Sequence, residues 1–512
     1  MDTKTSPPRS LPAHANVFVI GAGFAGLGMA IKLAEQGEPD FVVIDRGSDV
    51  GGTWRDNTYP GAACDVPSQL YSFSFAPNSK WSRSFSPQPE IQDYLRDVAE
   101  RSQVMDRLHF GVTFEDGTWD EEAGLWRIRT SSGDCTANVL ISAAGALSDP
   151  KMPDIEGVDS FAGEVFHSAR WNHDSDLTGK RVAVIGTGAS SIQIVPEIAA
   201  QVARLDVYQR TAPWVIPRWD RAYSRIEKLA FRFLPGVQKL YRSAIYWSRE
   251  ALVHAFTVDS RLAAPQKAAA RANIRKGISD PELRKRVTPT FEIGCKRILI
   301  SNDWYPALER GGVDLITEGI AKVTPTSIVT RDGVEREIDV LINATGFHAT
   351  DLPIAHHITG KNGETLAEQW SREGMTAYKG ATTHGFPNMF FIVGPNTGLG
   401  HSSMVYMIES QIAYALDALA KMRADNLRSV EPTPSAQKAW NEDLQKRMRR
   451  TVWHTGGCSS WYLDSHGRNV TLWPRTTFKF RQLTASFDTE RYDTVARSIP
   501  GTIDAERVER IG

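Results

Sequence analysis

Two stretches of the chain change in the same way, from a short continuous apolar run to apolar positions at helical spacing. The first run is Val17–Ile20 in VFVIGAGFAGLGMAIKL, and apolar residues then recur at Ala30, Ile31 and Leu33. The second is in RVAVIGTGASSIQIVPEIA, where an apolar run, a glycine-rich turn and helical spacing follow in the same order. A continuous run followed by a 3.6-residue period predicts a strand, a turn and a helix in each stretch.

Both turns have small residues where a bound pyrophosphate requires them. The first two glycines allow a tight turn and a close approach of the backbone to the phosphates, and the third small residue lets helix and strand pack closely. We therefore predict two dinucleotide sites. The predicted phosphate-side residues are Gly21, Gly23, Ala25 and Gly26 in the first turn and Gly186, Thr187, Gly188, Ala189, Ser190, Ser191 and Gln193 in the second turn and its helix.

The residue at the end of the next strand distinguishes the two nucleotides. Asp45 follows Gly21 by 24 residues, and Arg210 follows Gly186 by the same 24 residues. A carboxylate there accepts hydrogen bonds from ribose hydroxyls, whereas an arginine suits the extra 2′-phosphate of NADP. We predict FAD at the first site and NADPH at the second, with Thr211 as a further donor. A surface arginine at a strand end is the alternative for Arg210.

Each unit also has an exit strand that ends in a turn of small residues. These are NVLISAAGALSDPKMP, with the turn at 143–145, and DVLINATGFHATD, with the turn at 344–346. We predict an α/β fold with two Rossmann-like dinucleotide-binding domains, the NADP domain being inserted in the FAD domain. The expected limits are 1–148 and 351–512 for the FAD domain and 149–350 for the NADP domain. FPNMFFIVGPNTGLGHSS is expected to form a late strand and a glycine-rich loop over the flavin.

A basic helical insert is expected at about 220–288. Pro235 and Gly236 divide it into two helices, and its apolar residues recur at helical spacing: Ile226, Leu229, Phe233, Val237, Leu240 and Ile245. We expect this apolar face to pack on its own domain. A membrane surface is the alternative for a basic amphipathic helix. The insert could also shape the substrate entrance.

Composition excludes several classes of partner. The 512 residues include 59 Lys and Arg and 60 Asp and Glu, so a net charge near −1 gives no electrostatic reason to expect nucleic acid or an acidic membrane. No stretch has the roughly 20 uninterrupted apolar residues of a membrane helix. MDTKTSPPRSLPAHA lacks an apolar signal region and is expected to be a short disordered leader.

The four cysteines, Cys64, Cys135, Cys295 and Cys458, form no CxxC pair. This spacing predicts neither a metal site nor a dithiol motif, and it fits a reducing cytoplasm. The sequence does not indicate an oligomeric state.

Two longer motifs carry a family resemblance. FAGEVFHSARW matches the pattern FxGxxxHxxxW through Phe161, Gly163, His167 and Trp171, and GGTWRDNTYPGAACD matches [AG]GxWxxxx[FY]PGxxxD. The chain thus resembles type I Baeyer-Villiger monooxygenases over nearly its whole length. Asn172 departs from the usual Pro or Asp. Trp171 favours this branch over the flavin-containing monooxygenases, which have Tyr or Phe at that position.

The resemblance implies an enzyme in which NADPH reduces FAD, O2 adds at the flavin C4a, and the peroxide converts a ketone to an ester or lactone. Sulfides could be oxidised as well. By resemblance Arg297, in FEIGCKR, is the cation that stabilises negative charge in this reaction, and Asp65 pairs with it and positions it. Lys296 would join Arg210 at the 2′-phosphate.

Further ligands follow from the same resemblance. Val112, on the predicted strand HFGVTF, would touch adenine through its backbone, and Trp461, in CSSWYLDSHGRN, would pack on the nicotinamide. His167 is expected to act at the hinge between the domains. The remaining expected FAD contacts are Thr53, Trp54, Asp65, Val66, Tyr71 and Met404, and Arg297 is also expected at NADP.

Three other functions share parts of this pattern. A monooxygenase that oxidises only nitrogen or sulfur would not need Arg297. A flavoprotein disulfide reductase would need paired cysteines beside the flavin, and only Cys64 lies near. A nucleotide-binding sensor would not turn over NADPH. The sequence leaves open which ketone is used.

Overall fold

The computed structural model of the protein describes residues 10–464 and 466–497. Residues 1–9 of the expected leader lie outside this part. The leader prediction is wrong at its other end, because His14 and Ala15 are already in the first strand, paired with Thr136 and Ala137. Among the described residues, no helix combines the length and the apolar character that crossing a membrane requires.

The first part of the chain forms most of one sheet. Its elements are β1 (His14–Ile20), α1 (Phe24–Glu35), β2 (Phe41–Asp45), α2 (Thr53–Asp56), α3 (Gln88–Arg101), β3 (Leu108–Phe110), β4 (Phe114–Asp120), β5 (Leu125–Thr130) and β6 (Gly133–Ser142).

The middle part forms a second sheet and the helical insert. Its elements are β7 (Glu164–His167), β8 (Arg181–Ile185), α4 (Ser191–Ile198), β9 (Arg204–Tyr208), β10 (Val215–Ile216), α5 (Arg225–Phe233), α6 (Pro235–Thr257), α7 (Ala264–Gly277), α8 (Pro281–Val287), β11 (Leu299–Ile300), α9 (Trp304–Leu308), β12 (Val313–Ile316), β13 (Ile320–Val323), β14 (Ser327–Thr330), β15 (Glu335–Glu337) and β16 (Val340–Asn343).

The last part is largely helical. Its elements are β17 (Ile358–Thr359), α10 (Leu366–Glu373), β18 (Met389–Phe391), α11 (Met404–Ala424), β19 (Leu427–Pro432), α12 (Pro434–Met448), α13 (Val452–Thr455), α14 (Thr477–Leu483) and β20 (Tyr492–Ala496).

The two main sheets give the predicted architecture. The first has the order β17-β4-β5-β6-β1-β2-β3, with β18 also paired to β6, and the second has the order β12-β9-β8-β16-β7. All pairs of the second sheet are parallel. Because β17 and β18 follow the second sheet in sequence but join the first, the chain leaves one sheet and returns to it. The predicted α/β fold class is confirmed.

Strand β1 shows how the apolar run is used. Val17 and Val19 are buried against α1 and α11, while Phe18 and Ile20 are buried in the core on the opposite face of the sheet. A strand with both faces covered needs apolar residues at successive positions, and this explains why its run is continuous rather than alternating.

The exit turns close each nucleotide unit. Gly21 (φ +100°) and Gly186 (φ +111°) adopt a backbone conformation that favours glycine. A Cβ would lie 2.6 Å from the Ala143 carbonyl oxygen at Gly21 and 2.5 Å from that of Ala344 at Gly186. Each first glycine therefore packs on the exit turn of its own unit.

The insert contains four helices, α5 to α8, and the first two meet at Pro235, as predicted. Ser224 and Glu227 form a capping box at the start of α5. The expectation that its apolar face packs on the domain is wrong for most of that face. Ile245 is partly buried, but the other five residues are exposed: Ile226 by 79%, Leu229 by 54%, Phe233 by 67%, Val237 by 43% and Leu240 by 73%.

Another face of α5 makes the packing contacts. Phe231 is buried, and its ring lies 5.7 Å from that of Tyr223 and 5.5 Å from that of Tyr241. Phe231 is five positions from Ile226, so the two side chains point in directions about 140° apart around the helix. Periodicity indicated that the helix is amphipathic but not which face meets the domain.

The cysteines include a pair that the sequence spacing did not indicate. Cys295 and Cys458 form a disulfide across 163 residues, while Cys64 and Cys135 are buried free thiols. The disulfide joins the segment before Arg297 to the loop that contains Trp461.

Candidate functional site

The first glycine turn is shaped to receive a pyrophosphate. A Cβ at Gly26 would lie 1.7 Å from the Gly21 carbonyl oxygen, so α1 can approach the turn only because this residue is glycine. Gly23 faces Gly52, because a Cβ at Gly23 would lie 3.7 Å from the Gly52 Cα. The Gly51 N–H donates to the Ala22 carbonyl. The GGTW motif thus packs directly on the predicted FAD turn.

Asp45 ends β2 with its carboxylate turned toward that glycine turn. It accepts hydrogen bonds from the backbone N–H of Ala22 (2.8 Å), the backbone N–H of Gly47 (2.7 Å) and Nη1 of Arg55 (2.7 Å). A carboxylate has about four acceptor positions. One position is left for a ribose hydroxyl, and this fits the prediction for Asp45.

An aromatic pair borders the same turn. Trp54 Nε1 donates to the Tyr71 hydroxyl at 3.0 Å, and the two rings meet edge to face at 5.6 Å. Burial raises the pKa of Tyr71, which therefore stays protonated at neutral pH.

Two other predicted FAD contacts lie near this pair in the sequence. Thr53 begins the short helix α2, and Val66 is buried directly after Asp65.

Two predicted FAD contacts lie at the edges of this region. Val112 is not on a strand, as the sequence predicted, but in the loop after β3, where its N–H donates to the Asp45 carbonyl. Met404 is the first residue of α11, where the Ser403 hydroxyl caps the helix by accepting from the Val405 N–H.

The second glycine turn is open at its centre. Gly188 and Ala189 are exposed, and a Cβ at Gly188 would meet no atom within 4 Å. Ser191 is buried in the position of the third small residue, and the Thr187 hydroxyl donates to the Thr211 carbonyl at 3.3 Å. The turn has the free space beside its backbone that a pyrophosphate needs.

Two cations lie beside this turn without a carboxylate. Arg210 is exposed at the end of β9, and neither it nor Lys296 has an ion pair or hydrogen bond with any residue that the structure describes. Burial lowers the pKa of Lys296, and the neighbouring charge of Arg210 lowers it further. Two unpaired cations close together suit a dianionic phosphate.

Gln193 and Ser190 lie at the junction of the two units. Gln193 Nε2 donates to the Ala63 carbonyl at 3.0 Å, and its Oε1 accepts from the Tyr59 hydroxyl at 2.9 Å. Its side chain is thus engaged in joining the units, and a contact with NADP stays a prediction. Ser190 precedes α4 and is half-buried.

The FxGxxxHxxxW fingerprint forms the edge strand of the second sheet. Phe161 is buried, and a Cβ at Gly163 would lie 2.4 Å from the Asp339 carbonyl oxygen, so this approach requires glycine. His167 is buried, accepts a hydrogen bond on Nδ1 from the Ala169 N–H at 3.1 Å and lies edge to face on Phe347. Burial lowers the pKa of His167 to about 4, so the imidazole is neutral.

Trp171 borders a cavity between the fingerprint and the first unit. Its ring meets Phe166 edge to face at 5.0 Å, and the cavity, of about 520 Å³, is also lined by Arg46, Gly47 and Arg55. Arg55 is the residue paired with Asp45, so the bridge between the units lies beside the predicted FAD ribose.

Asp65 and Arg297 form an ion pair although 232 residues separate them. Arg297 Nη2 and Nε both donate to Asp65 Oδ2, at 2.7 and 3.2 Å, and Nη1 donates to the Leu399 carbonyl at 3.0 Å. Both side chains are half-buried. The Asp65 charge raises the pKa of Arg297, which stays cationic at every working pH.

Sequence reasoning missed several residues around this pair. Tyr462 is buried close enough for the Arg297 charge to act on its pKa, which burial raises to about 12. Burial lowers the pKa of Arg249, on α6, and the charges of Asp65 and Arg297 also act on this pKa. Tyr462 lies in the CSSWYLDSHGRN segment next to Trp461, but nothing in that segment indicates that it lies near Arg297. Arg249 is in no motif, and an arginine in a basic helix gives no signal that separates it from its neighbours.

Trp461, the predicted nicotinamide contact, lies at the surface. Its side chain is 50% exposed, and its ring contacts that of Tyr462 at 4.5 Å. The loop around it is tied to the Arg297 segment by the Cys295–Cys458 disulfide.

Comparisons with known proteins agree with this arrangement. A family model described as pyridine nucleotide-disulphide oxidoreductase matches residues 18–242. A Baeyer-Villiger monooxygenase of Streptomyces coelicolor is 50% identical over 497 residues, which are 97% of this chain and 95% of that protein. A Baeyer-Villiger monooxygenase of Pseudomonas aeruginosa is 50% identical over 491 residues, or 95% of this chain and 93% of that protein.

Solved structures match over almost the same span. The closed crystal structure of cyclohexanone monooxygenase gives a TM-score of 0.84 at 27% identity. The match covers 95% of this chain and 100% of the cyclohexanone monooxygenase chain. The complex of OTEMO with FAD and NADP also gives a TM-score of 0.84, at 28% identity over 94% of this chain and 99% of its own.

Proposed function

The chain belongs to the Baeyer-Villiger monooxygenases, and we propose that it converts ketones to esters or lactones with NADPH and O2. It is an FAD- and NADPH-dependent monooxygenase. In the proposed reaction, one ketone, O2, NADPH and a proton give one ester or lactone, NADP+ and water. Soft sulfides are proposed as additional substrates.

The Asp65–Arg297 pair is the observation that carries this proposal. FAD, when bound, supplies the hydride-accepting and oxygen-activating chemistry. Arg297 would hold negative charge as it develops on the reacting oxygens, because its guanidinium is fixed by three hydrogen bonds in a half-buried place. A preorganised donor of this kind typically contributes about 3 kcal/mol to a transition state. Asp65 orients the guanidinium and transfers no proton.

The predicted cofactor residues fit the two nucleotides in this reaction. Asp45 would bind the FAD ribose, and Arg210 with Lys296 would bind the 2′-phosphate of NADPH. His167 is proposed to set how the two domains meet, because it joins the fingerprint strand to the segment after the second exit strand. We propose domain limits of 1–148 and 351–512 for the FAD domain and 149–350 for the NADP domain.

A monooxygenase restricted to nitrogen or sulfur would not need a fixed cation beside the reacting oxygen. The 50% identity to two Baeyer-Villiger monooxygenases and the Asp65–Arg297 pair both favour ketone oxidation.

The test is identification of products from purified FAD-loaded enzyme with NADPH and O2. The panel contains linear, cyclic, aryl and steroidal ketones and one thioether. We expect esters or lactones from at least one ketone class. Sulfoxide from the thioether with no ester from any ketone would contradict the proposal, and NADPH loss alone is not a readout because uncoupled enzyme also consumes NADPH.

We also propose that the enzyme acts in the cytoplasm. The Cys295–Cys458 disulfide makes this testable, because disulfides are rare in reducing compartments. Thiol counting after anaerobic lysis and unfolding should find the pair largely reduced in the cell. A fully oxidised pair would argue against a cytoplasmic location.

A further inference from the structure

One stripe of α6 faces the interior of the molecule. Arg242, Tyr246, Arg249, Val253 and Phe256 follow one another at intervals of four and three residues, so they lie on one side of the helix. Tyr246 stacks on Tyr406 with ring centroids 4.9 Å apart, and Tyr246, Val253 and Phe256 are buried. Arg249 is therefore in the middle of a buried stripe.

The neighbouring residue fixes this part of α6. Glu250 is buried and accepts hydrogen bonds at 2.8 Å from both the N–H and the hydroxyl of Thr477, at the start of α14. Its Oε1 also lies 3.2 Å from Nε2 of His401, in the glycine-rich loop. These contacts fix the rotation of α6 and with it the direction in which Arg249 points.

The two arginines of the stripe differ in their partners. Arg242 Nη1 donates to the Gln69 carbonyl at 2.6 Å and to the Ser72 hydroxyl at 3.1 Å. Arg249 is half-buried, yet it makes no hydrogen bond or ion pair with any residue in the described part of the chain. Its N–H donors are therefore free to bind a ligand.

The charged groups near Arg249 leave its donors free to bind an anion. Glu250, the residue after Arg249, contacts His401, and Arg297 Nη1 donates to the carbonyl of Leu399, two residues earlier in the same loop, so this part of α6 lies beside the Arg297 site. The charge of Asp65 also acts on the pKa of Arg297, Arg249 and Arg218. Arg297 takes that carboxylate as its partner, and Arg218 Nη2 donates to the Cys64 carbonyl at 3.3 Å. Cationic charge therefore exceeds anionic charge here, and the free donors are those of Arg249.

We propose that Arg249 forms an anion-binding subsite beside Arg297, which takes the carboxylate of an oxo-acid substrate while its ketone group lies at Arg297. The proposal rests on the proposed function and names a substrate class for it. A guanidinium can bind a carboxylate through two parallel N–H donors, which is a geometry that a neutral ketone cannot use. The enzyme would then select ketones that have a negatively charged end.

The test compares oxo acids with their methyl esters, which have the same carbon chain and no charge. The substrates are 5-oxohexanoate, 7-oxooctanoate and 9-oxodecanoate. The variants are Arg249→Met, Arg249→Lys and, as a control, Arg232→Met on the exposed side of the same insert. All are assayed as FAD-loaded enzyme, with products identified and NADPH saturating.

For the best oxo acid, Arg249→Met should lower the ratio of kcat/KM for acid over ester by about 10- to 100-fold, the range for a lost hydrogen bond to a charged group. Arg249→Lys should keep part of that preference, and Arg232→Met should keep all of it. An unchanged ratio in Arg249→Met would overturn the proposal. A rise in the KM of NADPH with an unchanged ratio would assign Arg249 to the cofactor and would overturn it too.

A binding measurement separates this proposal from the proposed function. Calorimetric titration of the FAD- and NADP+-loaded enzyme with octanoate should give binding in wild type and binding weaker by at least about 10-fold in Arg249→Met. The test needs no turnover, so absence of ester from every ketone would sink the proposed function alone. Equal octanoate affinity in both proteins would sink the subsite alone.

Discussion

We propose that two single residues, Arg210 and Lys296, decide which coenzyme the second site accepts. Arg210 and Lys296 are neighbouring cations with no carboxylate partner among the described residues. Their charge matches the one group that distinguishes NADPH from NADH.

Replacing either cation should therefore act on NADPH alone. We expect Arg210→Ala or Lys296→Met to raise the KM of NADPH by about 10-fold or more, since a hydrogen bond between charged groups is worth about 1.5–3 kcal/mol. The KM of NADH, measured in the same flavin-reduction assay, should stay within about 3-fold of wild type. Equal effects on both coenzymes would show that these residues serve the fold or the nicotinamide.

His167 gives a prediction about pH. Its pKa is about 4 in the folded protein, against an ordinary value of 6.5, because burial disfavours the charged imidazole. Between these two values the unfolded chain binds a proton that the native protein does not, so stability falls as pH falls through this window. The full effect is at most about 3 kcal/mol.

The comparison is between wild type and His167→Gln, which does not titrate. The drop in Tm from about pH 7.5 to about pH 5 should be smaller in His167→Gln than in wild type. The other histidines titrate equally in both proteins. The same drop in both would mean that His167 is not held neutral by its surroundings.

Among the structural elements, the second glycine turn contains one glycine that the fold requires and another that only the ligand requires. Gly186 packs on the Ala344 carbonyl in a conformation that favours glycine, whereas a Cβ at Gly188 would meet only open space.

This difference predicts opposite outcomes for two alanine variants of one loop. Gly186→Ala should lose about 1–3 kcal/mol or more of stability, because both the backbone and the contact are strained. Gly188→Ala should keep the wild-type Tm and bind NADP+ more weakly, because its methyl group would occupy the space predicted for the pyrophosphate. Wild-type NADP+ affinity in Gly188→Ala, by calorimetry, would place the pyrophosphate elsewhere.

The periodicity of the insert could not decide which face of α5 packs on the domain. Leu229 is 54% exposed and Phe231 only 5% exposed, two positions apart on α5. We expect Leu229→Ser to change stability by no more than about 0.5 kcal/mol. Phe231→Ala should cost about 3–5 kcal/mol, and thermal unfolding of the two variants checks the order. A larger loss in Leu229→Ser would mean that this face is covered in solution.

For the whole molecule, the local contacts were predictable from the sequence and the distant ones were not. Gly26 has its role within one strand, turn and helix, where a Cβ would meet the Gly21 carbonyl, and the apolar pattern and the glycines already specify that unit. The contact of Asp65 with Arg297 spans 232 residues, and only the family resemblance predicted it.

Residues whose roles depend on the packing of separate elements could not be found in this way. Arg249 acquires its place from the packing of α6, and Tyr462 from a loop joined to the rest by the Cys295–Cys458 disulfide. Spacing along the chain has no information about such contacts, because they depend on how separate elements pack. The exposed face of α5 was mispredicted for the same reason.

We propose that Arg297, held by Asp65, is needed for oxygen transfer to a ketone and not for reduction of the flavin. The most direct measurement is a single turnover of wild type and Arg297→Ala, each loaded with FAD and mixed first with NADPH and then with O2 and ketone. Flavin reduction should stay within about 10-fold of wild type, while the yield of ester falls by about 100-fold or more, as expected for loss of about 3 kcal/mol. Ester formed by Arg297→Ala at the wild-type rate and yield would contradict this claim.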